Sequence, residues 1–133
     1  MILVDTSVLI DFFKGVENSS TEQLNTILRK NLPFGINHFI YQELLQGSKT
    51  DRDFKLLKKY LDTQVFYDFK NGRESYSEAA KIFITLRKKG ITIRGTVDCL
   101  IARMAIENDL FLLHNDDDFN KIRGCFSLKI WDL

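Results

Sequence analysis

Four acidic residues, far apart in the chain, are the side chains best suited to chemistry: Asp5, Glu43, Asp98 and Asp116. Asp98 is the most unusual, because it lies within the apolar segment 95–106, on the helical face that should point at the core. A buried carboxylate is costly unless it is paired or binds a metal. The position of Asp98 therefore predicts that residues from other parts of the chain, or a metal, lie close to it and compensate its charge.

The other three acids occupy positions that a sheet or a helix would direct towards one place. Asp5 and Asp116 follow the apolar runs 2–4 and 110–113, which are typical of buried parallel strands. Ligand sites in such sheets lie at the carboxyl ends of the strands. Glu43 lies beside the apolar stripe of a predicted helix. If these carboxylates converge, they need a positive counter-charge. No histidine or cysteine stands at ligand spacing, and a site made of carboxylate oxygens alone favours Mg²⁺ or Mn²⁺ over Zn²⁺. Such a cation can polarise a phosphodiester.

Each acid also has a structural interpretation. Asp5 and Asp116 suit helix N-caps, and Asp118 suits a cap or a turn. Glu43 is compatible with a solvent-facing helix position, and Asp98 with an ion pair to Arg94 or Arg103. Only the joint pattern of the acids favours a functional site.

Strands that alternate with helices predict an α/β fold with a parallel sheet and helices on both faces. We predict strands at 2–4, 34–37, 64–67, 110–113 and 128–131. We predict helices at 8–13, 18–31, 38–46, 51–61, 73–89 and across the Asp98 segment. In the longest helix, the predicted core residues are Tyr76, Ala79, Ala80, Phe83 and Leu86.

Composition limits the class of protein. The 133 residues, 44% of them hydrophobic, suffice for one domain that spans 1–133, and the formal net charge of +1 neither requires nor excludes nucleic acid. No apolar run approaches the ~20 residues of a membrane span, and no basic region precedes the first apolar run. Cys99 and Cys125 lack a CxxC spacing, so we expect free thiols and a cytoplasmic protein.

The acids lie in four ordered motifs that resemble those of the PIN-domain ribonucleases, and among them the VapC-type toxins of toxin–antitoxin pairs. The motifs are VDTSVLID at 4–11, Glu43 before LLQG at 44–47, LRKKGITI at 86–93 with DCLIA at 98–102, and LLHNDDDF at 112–119. The resemblance covers essentially the whole chain. One departure is His114, where many members have Thr or Ser.

The resemblance implies a PIN-like three-layer α/β/α fold with a short parallel central sheet. It implies a homodimeric, Mg²⁺-dependent endoribonuclease (Mn²⁺ is the alternative metal), with a VapB-like antitoxin as partner in a heterotetramer or larger assembly. Asp5 and Asp98 would be the principal metal ligands, Asp116 would complete that site, and Glu43 would bind a second metal or orient water. Supporting roles would belong to Thr6, Ser7, Asn115 and Asp118. RNA contacts would come from Lys88, Lys89 and Arg94.

Two alternatives remain open from the sequence. One is a PIN-domain nuclease for RNA maturation without a toxic role, and the other is a metal-binding or RNA-binding module that cleaves nothing. An acid phosphatase is disfavoured because Ser7 stands where it would need a second aspartate. The pattern of a phosphotransfer receiver, with an acidic pair near the start and a late-strand lysine, is not visible.

Overall fold

The computed structural model describes residues 1–132. Its strands are β1 (Ile2–Val4), β2 (Phe34–Gly35), β3 (Phe111–Leu113) and β4 (Lys129–Ile130). Its helices are α1 (Thr6–Phe13), α2 (Ser19–Arg29), α3 (His38–Gln46), α4 (Asp51–Leu61), α5 (Arg73–Lys88), α6 (Thr96–Glu107) and α7 (Asp117–Arg123).

The sheet has the strand order β2-β1-β3-β4 and is parallel throughout. The central strand β1 is fully buried, as its apolar run predicts, and Leu3 pairs with both Gly35 and Leu112. A backbone hydrogen bond from Asp5 N to Leu113 O (2.9 Å) continues the β1–β3 pairing past the end of β1. Asp5 and the loop after β3 therefore start from the same edge of the sheet.

The helices form two groups that flank the sheet, so the structure confirms the predicted three-layer α/β/α arrangement. In one group α1 packs against α2 and α3, and α3 packs against α4. In the other group α6 packs against both α5 and α7. Asn18 and Asn37 cap the starts of α2 and α3 with their side chains, which fixes where the chain turns into each helix.

Apart from shorter bounds for some elements, such as β2 and α2, two details differ from the sequence-based predictions. Segment 64–67 is not a strand of the sheet, because it pairs with the sheet edge only at the single bridge between Ile36 and Phe66. In α5 the buried stripe is Ser75, Ala79, Ile82 and Leu86. Tyr76 and Ala80 of the predicted core are exposed, because the helix is rotated so that Ser75 can donate a hydrogen bond to Glu107 (Oγ to Oε1, 2.6 Å).

No helix within residues 1–132 combines the length and the apolar character that a membrane span requires.

Candidate active site

Asp5 is held at the carboxyl end of β1, where it caps α1. Its Oδ2 accepts hydrogen bonds from the Ser7 backbone N–H (3.0 Å) and the Ser7 hydroxyl (2.6 Å). Burial raises the pKa of Asp5 to about 6, against the lowering effect of the Ser7 hydrogen bonds, and the negative charge of Glu43 raises it further. Both Ser7 bonds fall on one oxygen, so capping uses only half of the carboxylate.

Asp98, Asp116 and Asp118 form the acidic cluster. One carboxylate oxygen of each lies within 4.8 Å of the others. Asp98 comes from the first turn of α6, and Asp116 caps α7, its Oδ1 accepting from the Asp118 backbone N–H (3.0 Å). Burial raises the pKa of Asp98 to about 7, and the negative charges of Asp116, Asp5 and Asp118 add to that effect. Asp5 therefore adjoins the cluster, and Asp98 is the carboxylate with the least compensation.

Glu43 reaches the same region from α3. The Thr6 hydroxyl donates to Glu43 Oε1 at 3.0 Å, and Glu43 is close enough to Asp5 to raise its pKa. The Ser7 side chain therefore braces Asp5, whereas the Thr6 side chain positions Glu43. The structure thus brings all four predicted acids to one edge of the sheet.

Two cations from the same chain contact the cluster. Lys121 Nζ lies 3.3 Å from Asp118 Oδ1, and the guanidinium of Arg94 lies 3.3 Å from Asp116 Oδ1 and 3.6 Å from Asp118 Oδ2. Burial alone would raise the pKa of Asp118, but the Arg94 backbone N–H and the Lys121 ammonium hold it below its ordinary value. The suggested pairing of Asp98 with Arg94 is therefore wrong, because Arg94 contacts the two neighbouring acids.

Arg103, the other suggested partner of Asp98, is also paired elsewhere. Its Nε lies 3.8 Å from Glu107 Oε1 at the opposite end of α6. Asp98 thus has no arginine partner of its own among the described residues.

The loop after β3 is fixed by hydrogen bonds of His114 and Asn115. His114 Nδ1 accepts a hydrogen bond from the Asp116 backbone N–H (3.1 Å), the bond that a Ser or Thr hydroxyl would otherwise accept. Burial lowers the pKa of His114, which favours the neutral ring that this bond needs. The Asn115 backbone N–H donates to Ser7 Oγ (2.9 Å), and its side chain donates to Asp11 Oδ2 (3.3 Å). Asn115 therefore supports the site mainly through its backbone.

Lys88 and Lys89, the other predicted RNA contacts, lie on the exposed C-terminal end of α5. Lys89 Nζ is 3.7 Å from Cys125 Sγ, just beyond the C-terminus of α7, whereas Asp116 caps the N-terminus of that helix. A seven-residue helix is about 10 Å long, so Lys89 is roughly that far from the cluster. Arg94 contacts the cluster directly, and RNA binding by all three residues stays a prediction.

The donor set fits a hard divalent cation. The clustered donors are carboxylate oxygens with neither histidine nor cysteine among them. Asp98 has neighbours that disfavour its charge, which a cation would relieve. Asp118 fits less well as a direct ligand, because both of its oxygens already accept from Arg94 or Lys121. Sequence analysis did not identify Lys121, although its i+3 spacing from Asp118 was a usable signal.

An apolar groove opens beside Glu43. It has a volume of about 680 Å³ and runs between α1, α4 and the end of α3. We define the groove by its exposed apolar side chains, which are Ile10, Phe13, Leu56 and Tyr60. The rings of Phe13 and Tyr60 meet edge to face at 5.6 Å between centroids, so the two helices share one apolar surface. Contiguous exposed apolar surface of this kind marks interaction sites.

The sequence profile of the PIN domain matches residues 2–124. The chain belongs to the PIN-domain family. Within it, this PIN domain is of the VapC type: it is 31% identical to ribonuclease VapC1 of Methanocaldococcus jannaschii, over 98% of the chain and 87% of the relative. It is 27% identical to ribonuclease VapC11 of Mycobacterium tuberculosis, over 97% of the chain and 96% of the relative.

The fold of this PIN domain is similar to solved structures. The crystal structure of VapBC2 from Rickettsia felis, bound to a DNA fragment from its promoter, superposes with a TM-score of 0.72 at 25% identity, covering 99% of this chain and 100% of that one. VapBC-1 from nontypeable Haemophilus influenzae gives a TM-score of 0.73 at 23% identity, with 99% and 98% coverage. Residues 125–132 lie beyond the profile match, yet they contribute β4 to the same sheet.

Proposed function

We propose that this protein is a divalent-metal-dependent endoribonuclease that acts as the toxin of a toxin–antitoxin pair. The observation that carries the proposal is the cluster of Asp98, Asp116 and Asp118 beside Asp5, at the carboxyl edge of a PIN-domain sheet. Carboxylates at such short range disfavour one another's charge, and neither Arg94 nor Lys121 is paired with Asp98. The VapC relatives are named ribonucleases, which supports RNA as the substrate.

Asp5, Asp98 and Asp116 are the proposed holders of Mg²⁺ or Mn²⁺. When bound, the cation supplies electrostatic stabilisation of a phosphodiester under attack by water. Two of the three have part of their carboxylate already fixed: Ser7 orients Asp5 through Oδ2, and the start of α7 orients Asp116 through Oδ1. Fixed donors of this kind need little rearrangement at the moment of reaction.

Glu43 is the proposed residue for orienting the attacking water. Thr6 holds its Oε1, so Oε2 remains to accept a hydrogen bond or a proton. Its place next to Asp5 keeps this acceptor at the border of the acidic cluster. Asp118 has a supporting role, because it anchors Arg94 and Lys121.

The test of the enzyme is cleavage of RNA by purified protein that carries no partner. We expect cleavage in Mg²⁺ or Mn²⁺, no cleavage in EDTA, and loss of cleavage in Asp98→Asn. Glu78→Gln, which removes a carboxylate on the surface of α5, is the matched control and should cleave normally. Folded protein that binds RNA or Mn²⁺ but cuts nothing would favour the binding module and refute the nuclease.

The proposed partner is a VapB-like antitoxin that fills the apolar groove next to Glu43. The groove is apolar, open and continuous with the site, so an occupant could cover the active centre. VapBC complexes among the solved relatives support such a partner.

The test of the toxin is growth on induction in a bacterial host. We expect arrest, relieved by co-expression of the small protein encoded beside it. Phe13→Glu should remain toxic but escape that relief, because a charge would disrupt the groove. Tyr76→Glu is the matched control, since Tyr76 is an exposed aromatic on α5, outside the groove. Normal growth with folded, RNA-cleaving protein would favour the RNA-maturation nuclease.

A further inference from the structure

Arg94 and Lys121 neutralise the acidic cluster in different ways. Lys121 Nζ makes two contacts at 3.3 Å, to Asp118 Oδ1 and to the Thr92 backbone carbonyl. Arg94 is attached through its backbone N–H, which donates to Asp118 Oδ2 at 3.2 Å. Its guanidinium extends further and contacts Asp116. The negative charge of Asp118 thus stays compensated by Lys121 and by the Arg94 backbone N–H even if the guanidinium of Arg94 moves away.

The contact between Arg94 and Asp116 is the one that can open. The side chain of Arg94 is 79% exposed, whereas that of Asp118 is 2% exposed. A solvent-exposed ion pair at 3.3 Å is held weakly, because water competes for both partners. The guanidinium also has no other acceptor among the described residues than Asp116 and Asp118. Its release therefore breaks nothing else in the fold.

Asp116 is also a carboxylate that the proposed cation would need. Its Oδ1 accepts from the Asp118 backbone N–H and from Arg94. A divalent cation placed between Asp98 and Asp116 would stand close to the positive guanidinium, and the two would repel each other. The arginine and the cation thus compete for one carboxylate.

We propose that Arg94 is a displaceable counter-cation that competes with the divalent metal for Asp116 and thereby sets the metal concentration at which the site fills. The inference rests on the proposed function, because it assumes that the acidic cluster binds a metal. Arg94 is a positioning residue in this role, because it acts through Asp116. Lys121 remains paired with the buried Asp118.

The experiment is calorimetric titration of the full-length, metal-free protein with Mn²⁺ at pH 8, without RNA. Arg94→Gln should bind Mn²⁺ about tenfold more tightly, because removing one positive charge a few ångströms from a divalent ion changes affinity by about that factor even in a strongly screening medium. Arg94→Lys keeps the charge and should stay within about threefold of the wild type.

The matched control is Arg29→Gln. Arg29 is an exposed arginine in the last turn of α2, ahead of β2 and therefore at the opposite edge of the sheet. Its only side-chain hydrogen bond within residues 1–132 goes to Thr26. It loses the same charge, so its Mn²⁺ affinity should stay within about twofold of the wild type if the effect is local. If the Mn²⁺ affinity of Arg29→Gln rises as much as that of Arg94→Gln, the inference is overturned.

The outcomes separate this inference from the proposed function. Equal or weaker Mn²⁺ binding by Arg94→Gln, with normal binding by the wild type, refutes the role of Arg94 and leaves the nuclease proposal intact. Absence of Mn²⁺ binding by the wild type removes the metal site on which both depend. Thermal unfolding of each variant in EDTA verifies that the compared proteins are folded.

Discussion

Replacing Asp98 with asparagine should stabilise the metal-free protein at pH 8. The pKa of Asp98 rises from 3.8 to about 7 on folding. The folded protein therefore binds more protons than the unfolded chain between these values, and its stability falls as the pH rises through that window. Three pKa units correspond to about 4 kcal/mol, which we halve to about 2 kcal/mol because Asp98 is only half-buried and solvent screens part of the repulsion.

The assay is thermal unfolding in EDTA. For a domain of this size, about 2 kcal/mol corresponds to a rise of roughly 6–8 °C in Tm for Asp98→Asn at pH 8. The gain should shrink steadily as the pH is lowered towards 4, because the wild-type carboxyl then takes up its proton. Glu78→Gln should show no gain at either pH. A variant that melts at or below the wild-type temperature at pH 8 would show that the charge of Asp98 does not destabilise the fold, and the electrostatic argument for a metal at the acidic cluster would fail.

Three further predictions concern packing, a buried carboxylate and metal affinity. Gly35→Ala should lower the free energy of unfolding by about 2 kcal/mol in urea titration, because the added Cβ would lie 2.5 Å from Val65 O; an unchanged midpoint would contradict the close approach. Glu107→Gln should cost about 2 kcal/mol in the same assay without altering Mn²⁺ affinity, because the carboxylate accepts from the Ser75 hydroxyl and two further donors. Mn²⁺ affinity should fall up to tenfold per pH unit below 7, because Asp98 must then lose its proton on binding. Equal affinities in calorimetry at pH 6 and pH 8 would contradict this prediction.

Local sequence signals were sufficient for most of the fold. The apolar runs 2–4 and 110–113 became the central strands β1 and β3, because strands covered on both faces need no polar alternation. The predicted bounds of α3 and α4 are those of the structure, since Asn37 and Thr50 cap their starts. Strands and helix ends that depend on adjacent residues are thus readable from the sequence.

Features that depend on contacts between distant residues could not be predicted from the sequence. The buried stripe of α5 includes the polar Ser75 because Glu107, 32 residues away, accepts its hydroxyl. Segment 64–67 has the composition of a strand, yet only one position pairs with the sheet edge. These outcomes follow from tertiary contacts that no local pattern encodes.

The candidate site shows the same division. The four acids could be chosen because three of them follow strands or interrupt an apolar face. The residues that contact these acids could not be predicted, because they are distant in the sequence. Thr6 contacts Glu43 across 37 residues, and Arg94 contacts Asp116 across 22. Residue type thus located the carboxylates, whereas only the fold reveals which hydrogen bonds and cations restrain them.

The Ser7 hydroxyl links two loops that belong to different strands, because it donates to Asp5 and accepts from the backbone of Asn115. This small side chain therefore helps to constrain the distance between the Asp5 and Asp116 loops at the carboxyl edge of the sheet. Discrimination between ions of different radius, such as Mg²⁺ and the larger Ca²⁺, depends on how rigidly the donors are spaced. A residue that need not touch the ion would in this way govern which ion the protein prefers.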